Sequence, residues 1–88
     1  MMPNIHQVDR LGTVRELLAN IVGGEVVRGV ADEDQLLERM VLDSLHLITL
    51  VSSLEERFGV VVTPEDLVPE NFQSIAAIAG LVDLKMQR

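Results

Sequence analysis

The 88-residue chain has no cysteine, no tryptophan and no tyrosine, and its only aromatic rings besides histidine are Phe58 and Phe72. Without cysteine there is no disulfide framework, no thiolate metal site and no cysteine nucleophile. Positive charge is scarce too: 7 Lys and Arg stand against 14 Asp and Glu, for a formal net charge of -7. An acidic surface repels phosphate backbones and anionic lipid, so nucleic acid and membrane are not expected partners and proteins with basic patches are. No apolar run approaches the roughly 20 residues of a membrane span. Met1 to Asp9 lacks the basic-then-apolar pattern of a secretory signal. These absences lead us to expect a cytoplasmic protein. Its length predicts a single domain over residues 1–88, with a core at about 5–86. So small a core leaves little room for a deep pocket with its own catalytic floor.

What is present is mostly aliphatic. Leu, Val, Ile and Ala supply nearly all the apolar content. Composition alone leaves two readings open: an ordinary helical core, or one lacking rigid rings and so soft enough to open for a bound chain-like ligand.

The apolar pattern organises the chain into helices. Val14, Leu17, Leu18 and Ile21 form one stripe of a helix predicted from about Ile5 to Val22, which Gly23-Gly24 should stop. A long connection follows from Glu25 to Leu42, apolar at Val26, Val27 and Val30, acidic at Asp32, Glu33 and Asp34, and pinned to the core by Leu36-Leu37. Connections of this length inside a compact domain are uncommon and often functional. A second helix should start at Asp43-Ser44 and end before Gly59, with Leu47, Leu50, Val51, Leu54 and Phe58 facing inward. Val60-Val61-Val62 is too short for a strand without a partner and reads as an extended linker packed on the core. Thr63-Pro64-Glu65-Asp66 has the chemistry of a helix start, and Pro69 should limit that third helix to about two turns. Ser74 should cap a last helix that turns Ile75, Ile78, Ala79 and Val82 inward. The predicted fold class is all-α: a four-helix bundle with three longer helices, one short helix and a long loop after helix one.

The tripeptide Asp43-Ser44-Leu45 lies where the long loop meets an amphipathic helix. A helix N-terminus exposes unpaired N–H groups and a positive partial charge, so it suits a serine bearing a phosphodiester. Asp43 can cap the helix, and its carboxylate is placed to help bind a divalent ion brought by a modifying enzyme. The plainer reading is that Asp and Ser are simply good N-caps.

Context favours the first reading. Leu42-Asp43-Ser44-Leu45, the helix end Leu54-Glu55-Glu56-Arg57-Phe58-Gly59, the turn Thr63-Pro64-Glu65-Asp66-Leu67 and the run Asn71-Phe72-Gln73-Ser74-Ile75-Ala76-Ala77-Ile78 together resemble acyl carrier proteins. The same modules occur as peptidyl and D-alanyl carriers. The resemblance spans roughly Val14 to Val82, with the parts in the family's order. It implies that Ser44 receives 4'-phosphopantetheine from coenzyme A through a phosphopantetheinyl transferase. The arm's thiol would then hold a cargo as a thioester, and the protein, a monomer and not itself an enzyme, would present that cargo to loading ligases or synthases. It also implies that Asp43 and Leu45 flank the arm, and that the second helix, through Leu45, His46, Ile48, Thr49, Glu55 and Glu56, is the docking surface.

Two departures bear on the pathway. Fatty-acid carriers usually have acids two and five residues after the modified serine, where this chain has His46 and Thr49. A glycine commonly precedes the Asp-Ser pair, whereas Glu38-Arg39-Met40-Val41-Leu42 has none. The expected outward face of the second helix, Leu45, His46, Ile48, Thr49, Ser52, Ser53, Glu55 and Glu56, is less acidic and more apolar than the fatty-acid pattern. A specialised pathway is therefore expected over general fatty-acid synthesis.

Other residues have plainer explanations. His46 lies two residues from Ser44, a spacing that points side chains to different sides of a helix, so a Ser–His catalytic pair is not expected. It reads as a partner contact or a tuning charge beside the arm, or as a plain surface residue. His6 carries no functional signal. Asp32, Asp34 and Asp43 have a faint calcium-loop rhythm, but Leu37 occupies the place of the required glycine. No metal site is expected. Leu45 and Ile48 read as a docking patch or as stray surface apolars. The competing function is a small helical protein-interaction module in which Ser44 is only a cap. A small enzyme would need an acid–base or nucleophile constellation, and no convincing one is present. The cargo stays open among fatty acyl, polyketide and aminoacyl groups.

Overall fold

The computed structural model describes residues 5–87, with side chains from residue 10 onward. His6 has its side chain outside that part. Among the described residues five α-helices follow one another: α1 (Ile5–Val22), α2 (Gly24–Arg28), α3 (Ser44–Phe58), α4 (Pro69–Phe72) and α5 (Ile75–Met86), with a single 3-10 turn at Pro64–Asp66. The described residues contain no strand. The architecture is the expected all-helical bundle. Helix α1 packs against α2, α3 and α5, and α5 also holds α4 and, more lightly, α3.

The core is aliphatic as the periodicity requires. Val14 and Leu18 of α1, Leu50 and Leu54 of α3, and Ile75, Ile78, Ala79 and Val82 of α5 are buried together. Phe72 joins them from α4, whereas Phe58 is only half-buried, at the end of α3. The Arg10 guanidinium lies over the Phe58 ring at 5.4 Å from its centroid, close enough for a cation–π contact.

Two elements differ from the expected pattern. The long connection is not all loop, because α2 restarts one residue after α1. Gly23, at φ 105, turns the chain there in a region that side chains resist. Five residues are too few to be helical alone. Arg15 reaches from α1 to hold them, donating to the Val27 carbonyl at 3.0 Å and the Val30 carbonyl at 2.8 Å, and pairing with Asp32 at 2.6 Å. The expected two-turn third helix is instead two separate single turns. Val68 is extended, at φ -117 and ψ 151, as the residue before a proline prefers to be. Pro69 therefore begins α4 instead of ending an earlier helix.

The rest of the connection is tied down at its middle. The Leu36 N–H donates to the Gln73 carbonyl at 2.7 Å, and the Ala76 N–H donates to the Asp32 carbonyl at 2.9 Å. Leu36 is fully buried and Leu37 half-buried, so the leucine pair pins the loop as expected. After α3, Gly59 adopts the left-handed cap at φ 68 and donates to the Glu55 carbonyl at 2.9 Å. Val60 and Val62 turn toward the core while Val61 faces solvent, as an extended linker does. Among the described residues no helix is long and apolar enough to cross a membrane.

Candidate functional site

The loop delivers the chain to the N-terminus of α3 in extended form. Asp43, at φ -110 and ψ -173, is the N-cap, and its Oδ1 accepts the His46 N–H at 2.9 Å. Its carbonyl accepts the Leu47 N–H at 2.8 Å, which closes the first helical turn. Ser44 is the first residue of the 15-residue helix and is exposed. The cap belongs to Asp43, so the Ser44 hydroxyl has no part in it. The Ser44 and Leu45 N–H groups lie in the first turn, where helical geometry provides no acceptor. They point toward the end at which an anion is stabilised.

His46 is half-buried, with its Nδ1 3.3 Å from Asp43 Oδ1. That nitrogen is shut off from solvent and makes no aligned hydrogen bond among the described residues. The ring therefore leans on the Asp43 carboxylate, and no Ser–His pair forms.

The outer face of α3 differs in part from the sequence pattern. Leu45 is 75 % exposed and Ile48 65 % exposed, one turn apart on the same side. Thr49, Ser52 and Glu56 are exposed beside them. Glu55, expected with this group, is half-buried and turned aside: its carboxylate accepts the Val62 N–H at 2.9 Å and holds the linker against the helix. Ser53 is also half-buried, its hydroxyl donating to the Thr49 carbonyl at 3.0 Å.

The faint calcium rhythm dissolves in the fold. Asp32 pairs with Arg15, Asp34 pairs with Arg39 and accepts the Ala31 N–H, and Asp43 caps α3. Among the described residues no cluster of three or more ligating side chains could hold a metal ion.

A cleft of about 330 Å³ opens beside Ser44, lined by Leu37, Met40, Leu42, Asp43, Ser44 and Leu47. The sequence pattern does not reveal this cleft, because it joins one side of the loop to the first turn of α3. Met40 has no helical or strand periodicity to mark it. The one hint is the missing glycine before the Asp-Ser pair: the left-handed residue of that stretch is Met40, at φ 60.

No curated protein sequence gives a significant match to the chain. A family model described as phosphopantetheine attachment site matches residues 9–82, and so covers α2 to α5 and all of α1 after its first turn. The chain belongs to the phosphopantetheine attachment site family, carrier domains whose cofactor, 4'-phosphopantetheine, is held covalently on a serine.

Proposed function

We propose that Ser44 is the serine that bears the arm, and that the chain presents an acyl or aminoacyl cargo to partner enzymes in a specialised pathway. The supporting observation is an exposed serine at the first position of a 15-residue helix whose cap is supplied by its neighbour. The residues fit the group. The Ser44 hydroxyl can become a phosphate ester without removing a hydrogen bond that the fold needs. The Ser44 and Leu45 N–H groups and the helix dipole favour the negative charge of that ester.

The arm's terminal thiol supplies the thioester chemistry, and the chain's own residues position and present it. Asp43 orders the first turn, and its side chain, 64 % exposed, remains accessible to a divalent ion brought by the transferase. Leu45 and Ile48 give a partner an apolar foothold next to the ester, with Thr49 and Glu56 at the edge. In this reading a phosphopantetheinyl transferase acts first and cargo-loading ligases or synthases follow. The chain is a single carrier domain working in the cytoplasm, without catalysis of its own.

Intact mass tests the reading. Incubation with coenzyme A and a promiscuous phosphopantetheinyl transferase should add one arm to the wild type and none to Ser44→Ala, with the helical circular dichroism of the two indistinguishable. Arm attachment to Ser44→Ala would overturn the assignment.

A further inference from the structure

We propose that the cleft beside Ser44 seats the apolar part of the group carried by that serine, and that Met40 is the residue that covers it. The inference rests on the assignment of Ser44 as the attachment residue.

Met40 is the one non-glycine residue with positive φ among the described residues. At φ 60 a Cβ crowds the neighbouring carbonyl, a strain glycine avoids. The turn is locked on both sides: the Met40 N–H donates to the Leu37 carbonyl at 3.2 Å and the Val41 N–H donates to the Leu36 carbonyl at 2.9 Å. The same turn leaves the Met40 side chain 86 % exposed. An apolar side chain that strains its backbone and stays in water adds little to the stability of the core. Strain of this kind gathers where a ligand is clamped.

The occupant follows from covalent continuity. Ser44 itself lines the cleft, so a group esterified to its hydroxyl is tethered at the mouth. Tethering sets an effective concentration in the millimolar range, so even a weak apolar contact is populated. The phosphopantetheine chain carries a geminal dimethyl group close to its phosphate, and Leu37, Leu42 and Leu47 line the same cleft as Ser44. A cleft of about 330 Å³ has room for roughly ten water-sized groups. Methionine is unbranched and polarisable, and it adapts to an irregular surface better than a branched side chain. Between encounters with enzymes the arm would rest along the loop under Met40, and a partner that draws it out would displace that side chain.

The test uses the full chain carrying 13C-methyl methionine, armed with coenzyme A and a transferase and checked by mass for one arm per chain. The Met40 signal is assigned by its loss in Met40→Gly. In the armed wild type, nuclear Overhauser contacts should link the Met40 ε-methyl and the Leu47 methyls to the arm's geminal methyls. Armed Met40→Gly should lose the shift of the geminal methyls toward that of free pantetheine, yet unfold at no lower temperature than wild type. Met40→Gln, which keeps the length and the strain, should also weaken the contacts. Absence of the contacts in correctly armed wild type overturns the seat and leaves the arm assignment standing. Failure to gain an arm at all overturns the assignment and the seat with it.

Discussion

Asp43 and Ser44 are neighbours with separate duties. The Asp43 carboxylate satisfies the His46 N–H at 2.9 Å, while the Ser44 side chain satisfies no backbone group of the first turn. The two alanine substitutions should therefore have opposite outcomes. Asp43→Ala removes a cap and should lower unfolding stability by about 0.5–2 kcal/mol. Ser44→Ala should lie within about 0.5 kcal/mol of wild type, as exposed changes away from such contacts do. Denaturant titration of both variants measures the contrast, and equal losses would show that the serine shares the cap. The Asp43 cap was legible from the sequence because cap chemistry is local. The partners of Glu55 and the backbone of Met40 were not. Glu55 sits at a helical position that faces outward by periodicity, but its target, the Val62 N–H, is presented only after Gly59 reverses the chain.

Among the elements, the three long helices matched the pattern because each carries several inward residues and two of them a side-chain cap, Asp43 for α3 and Ser74 for α5. The short elements did not, because tertiary contacts set them. Helix α2 depends on Arg15 of α1, which lies twelve residues before the Val27 whose carbonyl it binds, and α4 on packing of Phe72 under α5. In the proposed reading, α3 also presents the surface on which partner choice should turn. Its exposed face next to Ser44 is Leu45 and Ile48, with His46 and Thr49 at positions that are usually acidic in fatty-acid carriers. Complementary charge steers docking and excludes wrong partners. Replacing His46 and Thr49 together with Glu should improve loading by fatty-acid synthase enzymes and slow loading by the native partner. Ile48→Ala should slow the native partner while shifting folding stability by less than about 0.5 kcal/mol, because Ile48 is 65 % exposed. Loading rates of the armed proteins, compared side by side, check this. Efficient elongation of the wild type that ignores both Glu substitutions would return the chain to a general fatty-acid role.

At the scale of the whole molecule, ion pairs tie segments together, all but Arg39–Asp34 across long stretches of chain. Arg10 binds Asp83 between α1 and α5, Arg15 binds Asp32, Arg39 binds Asp34, and Lys85 binds Asp66 between α5 and the 3-10 turn. Each pair cancels one charge of either sign, so together they leave the net charge of -7 unchanged. The Lys85 ammonium, and then the Thr63 N–H, hold the Asp66 carboxyl down at about 2 from an ordinary 3.8. A carboxyl whose pKa is lowered by folding stabilises the fold in its ionised form. Its contribution is therefore complete above about 3.8 and is lost as the pH falls through about 2. Thermal unfolding of the wild type and Asp66→Asn should differ by a constant amount at neutral pH. The difference should close across that acid window, and one unchanged down to the lower limit would assign the loss to packing instead of charge.

The division of labour at the start of α3 has a consequence for the protein's life in a cell. Because Asp43 and not Ser44 secures the helix, the start of α3 is complete with a bare serine. If Ser44 bears the arm, as proposed, an unmodified copy should already be folded, and seating of the arm in the cleft would add only to that. Quality control that recognises unfolded chains would pass it. Such a copy would compete for the same enzyme surfaces with nothing to deliver, so the ratio of transferase to carrier, not turnover of the bare protein, would set how much of the pool is productive.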